Sequence, residues 1–143
     1  MLRSKALAAV LAGTVAGGVG GAAFSIAGRA AGEGSGVRTV VVDVRHSRFS
    51  PAVVSVPAGR EVRFVVRNAD PIDHEFIVGP PEVHERHERG TEAKHGAVPG
   101  EVSVPAMGEA ETTYVFRAPG TMTFACHLPG HFAYGMHGVV VAG

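Results

Sequence analysis

Cysteine is almost absent from this chain: Cys126 stands alone among 143 residues. No disulfide within the chain is available to staple the fold. Net charge is lacking as well, with 13 Lys and Arg against 13 Asp and Glu. Three of those 13 basic residues, Arg3, Lys5 and Arg29, lie in the first 30 residues, leaving 10 basic against 13 acidic in the rest. That mild acidity excludes a nucleic-acid binder, which needs a basic face for phosphate. There are no internal repeats and no sustained helical period, because Pro or Gly interrupts every candidate helix. A second folded domain has no room, since only about 107 residues run from Val37 onward.

The N-terminus reads as an export signal. Arg3 and Lys5 precede an uncharged stretch from Ala6 to Ala27, followed by small residues around Gly28 to Ala31 where a peptidase could cut. The same stretch has the roughly 20 residues needed to cross a bilayer, although its Gly and Ala make it weakly hydrophobic. Residues 1–30 are therefore expected to be a signal peptide or a membrane anchor, 31–36 a Gly-rich linker, and 37–143 the folded domain. A lipid anchor on a leader cysteine is excluded, because that region has none. The expected location is outside the cytoplasm, in the periplasm or at the cell surface.

From Val37 the chain becomes a series of short runs rich in Val, Thr and Phe, separated by Pro and Gly. This is the pattern of an all-β sandwich or barrel. Glu61 to Arg67 is the clearest strand: Val62, Phe64 and Val66 share one face, Glu61, Arg63 and Arg67 the other. His74, Phe76 and Val78 share a face in the next run, and Met122, Phe124 and Cys126 in a later one. Residues 82–99 differ in kind, being polar, mixed in charge and holding His84, His87 and His95. This tract is expected to be a solvated surface loop with at most one helical turn, and weak metal binding is its alternative reading.

A lone cysteine in an oxidising compartment is a buried filler, an intermolecular link or a thiolate with a task. The sequence around Cys126 favours the third. It runs CHLPGHFAYGMHG, with four residues between Cys126 and His131 and four more between His131 and Met136. Pro129 and Gly130 turn the chain so that one loop can aim thiolate, imidazole and thioether at a single centre. His74 would come from a separate inward-facing strand, carried over the loop by sheet packing. A thiolate and two imidazoles with a weak thioether suit a copper ion cycling between Cu(I) and Cu(II). Zinc is disfavoured, because methionine is a poor zinc ligand and no carboxylate replaces it.

The span from Cys126 to Met136 resembles the copper loop of cupredoxins, with spacing most similar to rusticyanin, auracyanin and sulfocyanin; plastocyanin and azurin have shorter loops. NADPIDHEFIVG resembles the family's upstream histidine region, and APGTMTFACHLPGH its strand leading into the copper cysteine. The likeness covers essentially all of Val37 to Gly143. It implies a cupredoxin-like Greek-key β-sandwich and a single type 1 (blue) copper held by His74, Cys126, His131 and Met136. It also implies an apolar collar of Leu128, Phe132 and Tyr134 around an electron port at His131. Two positions depart from the pattern. Glu75 stands where several members place Asn or Ser to pin the cysteine loop, and His127 follows the cysteine in place of a small hydroxyl residue.

The function expected is one-electron transfer between redox proteins, including a membrane-bound respiratory complex if the leader is retained, by a monomeric domain. Enzymatic activity is not expected, since four ligands leave no position for substrate. Copper handling by a carrier or scavenger is the alternative. Thiol catalysis by Cys126 fares badly, because reactive cysteines favour electropositive pockets or helix N-termini. His46, His127 and His137 are expected at the surface or behind the ligands.

Overall fold

The computed structural model describes residues 36–90, 95 and 98–143. The expected leader at 1–30 and residues 31–35 of the linker lie outside these.

Alternation of small β-branched residues with polar ones sets the strands. In chain order these are β1 (Arg38–Val44), β2 (Phe49–Ser50), β3 (Val53–Val56), β4 (Glu61–Asn68) and β5 (His74–Gly79). After helix α1 (Pro81–Glu88) come β6 (Glu101–Val104), β7 (Glu109–Val115), β8 (Gly120–Ala125) and β9 (His137–Ala142). One sheet has the order β2-β1-β4-β7 and the other β3-β9-β8-β5-β6. Sequence neighbours are often not sheet neighbours: β1 lies parallel to β4, and β3 parallel to β9. The expected all-β cupredoxin-like sandwich is what forms.

The expected faces of β4 are observed. Val62, Phe64 and Val66 are buried, while Glu61, Arg63 and Arg67 are exposed. On that outer face Arg63 and Arg67 pair across the ladder with Glu111 and Glu109. Between the sheets, Phe76 is the hub of the aromatic core, edge-on to Phe49, tilted against Phe64 and stacked on Phe124. Such contacts add about 0.5–1.5 kcal/mol per pair beyond burial.

Strand β5 departs from simple alternation, because all six of its residues are buried. His74, Phe76 and Val78 face the core. Glu75 and Ile77 face outward, opposite Ser103 and Glu101 of β6. Their cover is the segment that was expected to be a solvated loop. Pro81 opens α1, where its missing N–H costs nothing, and Gly90, with φ of 68°, follows the helix end. The side chain of Val83 lies against Gly79, and His84 Nε2 approaches the carbonyl oxygens of Gly79 and Thr123 at 3.1 and 3.2 Å. Two turns of helix thus replace the single turn expected. His87 and His95 are buried, a correction whose cause is the otherwise uncovered outer face of β5 and β6.

Candidate metal centre

His74 opens β5, opposite Val104 of β6. Cys126 directly follows β8 on the side of Phe124, and the pairing of Ile77 with Ala125 brings the ends of β5 and β8 together. The loop between Cys126 and Met136 is held by its own backbone. His131 N–H donates to Leu128 O at 2.9 Å, Met136 N–H to His131 O at 3.0 Å, and Cys126 N–H to Met136 O at 3.1 Å. Gly130 and Gly135 make its turns with φ of 84° and 89°, values that L side chains rarely adopt.

Three of the four residues expected to act together, His74, Cys126 and His131, are brought together. Cys126 Sγ lies 3.2 Å from His131 Nδ1, and His131 Nδ1 lies 3.3 Å from His74 Nδ1. Met136 is fully buried in the same core cluster as Cys126. His74 and Cys126 are also buried, whereas His131 is partly exposed. Phe132 and Tyr134 flank it at the surface, 37% and 78% exposed.

Asp70 was missed by the sequence reading. Its Oδ2 lies 3.0 Å from His74 Nε2, so the His74 Nε2–H donates to the carboxylate and the lone pair stays on Nδ1, toward the other donors. Burial would raise the Asp70 pKa, but the backbone N–H groups of Ser47 and His46 and the His74 ring together hold it below the usual value. The only sequence signal was an acid four residues before the histidine. Burial also pushes the Cys126 thiol up to about 11, so a free thiolate is disfavoured and the metal must expel its proton. Burial, then the neighbouring His74, lowers the His131 pKa, which disfavours the charged ring.

The donor set fits copper. Atoms bonded to one ion at about 2.0–2.3 Å lie about 3.3–3.5 Å apart, close to the observed spacings. A soft sulfur with two neutral imidazoles is the chemistry that accommodates both copper oxidation states.

Behind this cluster, the two departures from the family pattern meet. Glu75 Oε1 accepts the N–H of His127 at 2.7 Å, so the carboxylate itself pins the cysteine loop. Of the two places expected for His127, the surface or behind the ligands, the structure shows the second, with the side chain 1% exposed. It stacks on Phe132 and lies 2.8 Å from His84 Nδ1 through Nε2. His84 donates from Nε2 to backbone carbonyls, so its Nδ1 accepts a proton shared from His127. Burial lowers the pKa of both rings, that of His127 to about 4; His84 lowers that of His127 further, and His87 disfavours charge on both.

A two-sheet sandwich with a His, Cys, His and Met cluster at one end is a cupredoxin, and its cofactor is copper. More narrowly, the chain belongs to the plastocyanin/azurin family of copper binding proteins, whose family model matches residues 37–143. It is 40% identical over 108 residues to the copper-resistant cuproprotein CopI of Rubrivivax gelatinosus, covering 73% of this chain and 64% of that protein. With CopI of Pseudomonas aeruginosa it shares 28% identity over 134 residues, covering 71% of this chain and 74% of that one. The chain therefore spans less than two thirds of the Rubrivivax protein. Dithionite-reduced auracyanin from Roseiflexus castenholzii has the same fold, with a TM-score of 0.62 at 20% identity, covering 76% of this chain and 99% of that one.

Proposed function

We propose that this chain is an exported one-electron carrier in which His74, Cys126, His131 and Met136 hold one copper ion. The observation that carries the reading is the closure of the site: three of these residues are buried and the fourth, His131, is only partly exposed. Copper supplies the one-electron couple, and the chain supplies everything else. Asp70 orients His74, the loop backbone fixes His131, and the core excludes water around Cys126 and Met136. A site so constrained rearranges little when an electron moves. No side is left for a substrate, so we assign no catalysis, and the high thiol pKa argues against Cys126 as a nucleophile. Electrons would pass at the His131 edge, where Phe132 and Tyr134 offer a small apolar patch suited to brief docking by a redox protein. Export rests on the leader sequence, which would deliver the domain to the periplasm or cell surface.

Copper handling is the second reading, favoured by the copper-resistance names of the two relatives. Copper exchange separates the two. As an electron carrier, the protein keeps its copper through repeated reduction and reoxidation in the presence of a chelator. Loss of copper to the chelator within a few cycles would favour delivery or scavenging. In either case Cys126→Ser abolishes the intense visible thiolate-to-copper band, and a variant that kept the band would overturn the ligand assignment.

A further inference from the structure

We propose a second metal site beneath α1, formed by His87, His95 and Glu101 on the outer face of the β5–β6 ladder. It would take one divalent ion of the zinc and copper(II) class. The site shares no ligand with the thiolate cluster.

All three side chains are withdrawn from water: 3%, 1% and 5% exposed respectively. Their ligand atoms lie within 4.8 Å of one another. His87 Nε2 is 3.2 Å and His95 Nδ1 3.6 Å from Glu101 Oε2. Three donors bonded to one ion at about 2.0–2.2 Å stand at just such separations.

The other nitrogen of each ring is already committed. His87 Nδ1–H donates to Val83 O at 2.7 Å, and His95 Nε2–H to Glu75 Oε2 at 2.9 Å. For His87 this puts the lone pair of the neutral tautomer on Nε2, the atom that faces Glu101, the arrangement by which a second partner orients a metal-bound histidine. Arg86 occupies the opposite oxygen of Glu101, Oε1.

An imidazolium–carboxylate pair is the simpler account, and the geometry disfavours it. His87 Nε2 and Glu101 Oε2 are 3.2 Å apart, yet both atoms lack a hydrogen-bond partner. The two atoms are close, yet their geometry does not make an N–H···O hydrogen bond. Leaving such buried atoms unmatched is unfavourable, and a cation between them removes that cost. The donors are two imidazoles and a carboxylate with no sulfur, a set that prefers divalent ions to Cu(I).

Dialysis of the copper-loaded protein against Zn(II), with metal analysis and the visible copper band recorded together, tests the site. We expect one zinc retained per chain with the band unchanged. Glu101→Gln, or His87→Gln should the first variant fold poorly, weakens zinc retention by at least about 10-fold and leaves the band in place. Three results would overturn the proposal. Zinc is not retained while the band persists, zinc uptake is matched by loss of the band, or both variants hold zinc as the parent does.

Discussion

Glu75 and His127 are joined by a 2.7 Å hydrogen bond in which the carboxylate Oε1 accepts the backbone N–H of the residue after Cys126. The other oxygen of Glu75 receives the ring of His95 at 2.9 Å. One buried carboxylate therefore ties the cysteine loop to the histidine cover on the outer face.

Removing that tie has two separable effects. Glu75→Ala leaves a buried N–H without a partner and lowers the stability of the copper-loaded protein by about 1–3 kcal/mol, read from the urea midpoint. It also removes a negative charge near the copper thiolate, which favours Cu(I) and raises the reduction potential. Glu75→Gln keeps an acceptor oxygen, so it restores most of the stability but retains the rise in potential on voltammetry.

Asp70 acts through His74. In Asp70→Asn a neutral amide cannot serve the N–H groups of His46 and Ser47 and the His74 ring together as the carboxylate does. Copper affinity falls by about 10–100-fold, measured by competition with a chelator, and unchanged affinity would refute the orienting role.

Acid destabilises the fold through the paired histidines. Burial lowers the pKa of His84 and brings that of His127 to about 4, against 6.5 in the unfolded chain. Below pH 6.5 the unfolded chain takes up protons that the folded one declines. Stability from these rings is complete above 6.5 and is lost as the pH falls toward 4, about 3 kcal/mol for His127 alone. Urea midpoints at several values across that window should show the decline, and His127→Asn should flatten it.

Met136 supplies the weak thioether. Met136→Leu preserves buried volume, costs less than about 1.5 kcal/mol in stability and keeps the visible copper band. Loss of a donor to Cu(II) raises the reduction potential, whereas an unchanged potential would show that the sulfur is not near the ion.

The loop from Cys126 to Met136 was legible because its geometry is local. Its turn residues and its backbone hydrogen bonds lie within one short stretch, so spacing alone aims Cys126 and His131 together. The outward and inward faces of β4 were legible for a similar reason, since alternation is a property of consecutive residues. By contrast, the positions of His74 and Asp70 depend on β5 finding β8, partners far apart in the chain. The histidine tract was misjudged for the same physical reason. Its polar, charged composition describes a segment that meets water, and nothing local records that the outer face of β5 and β6 would otherwise be bare. Only packing against that face buries His87 and His95 beside Glu101, and only the sheet register places Glu101 on the same face as Glu75. Local chain geometry thus determined the ligands that one loop contributes, while long-range strand pairing decided what surrounds them.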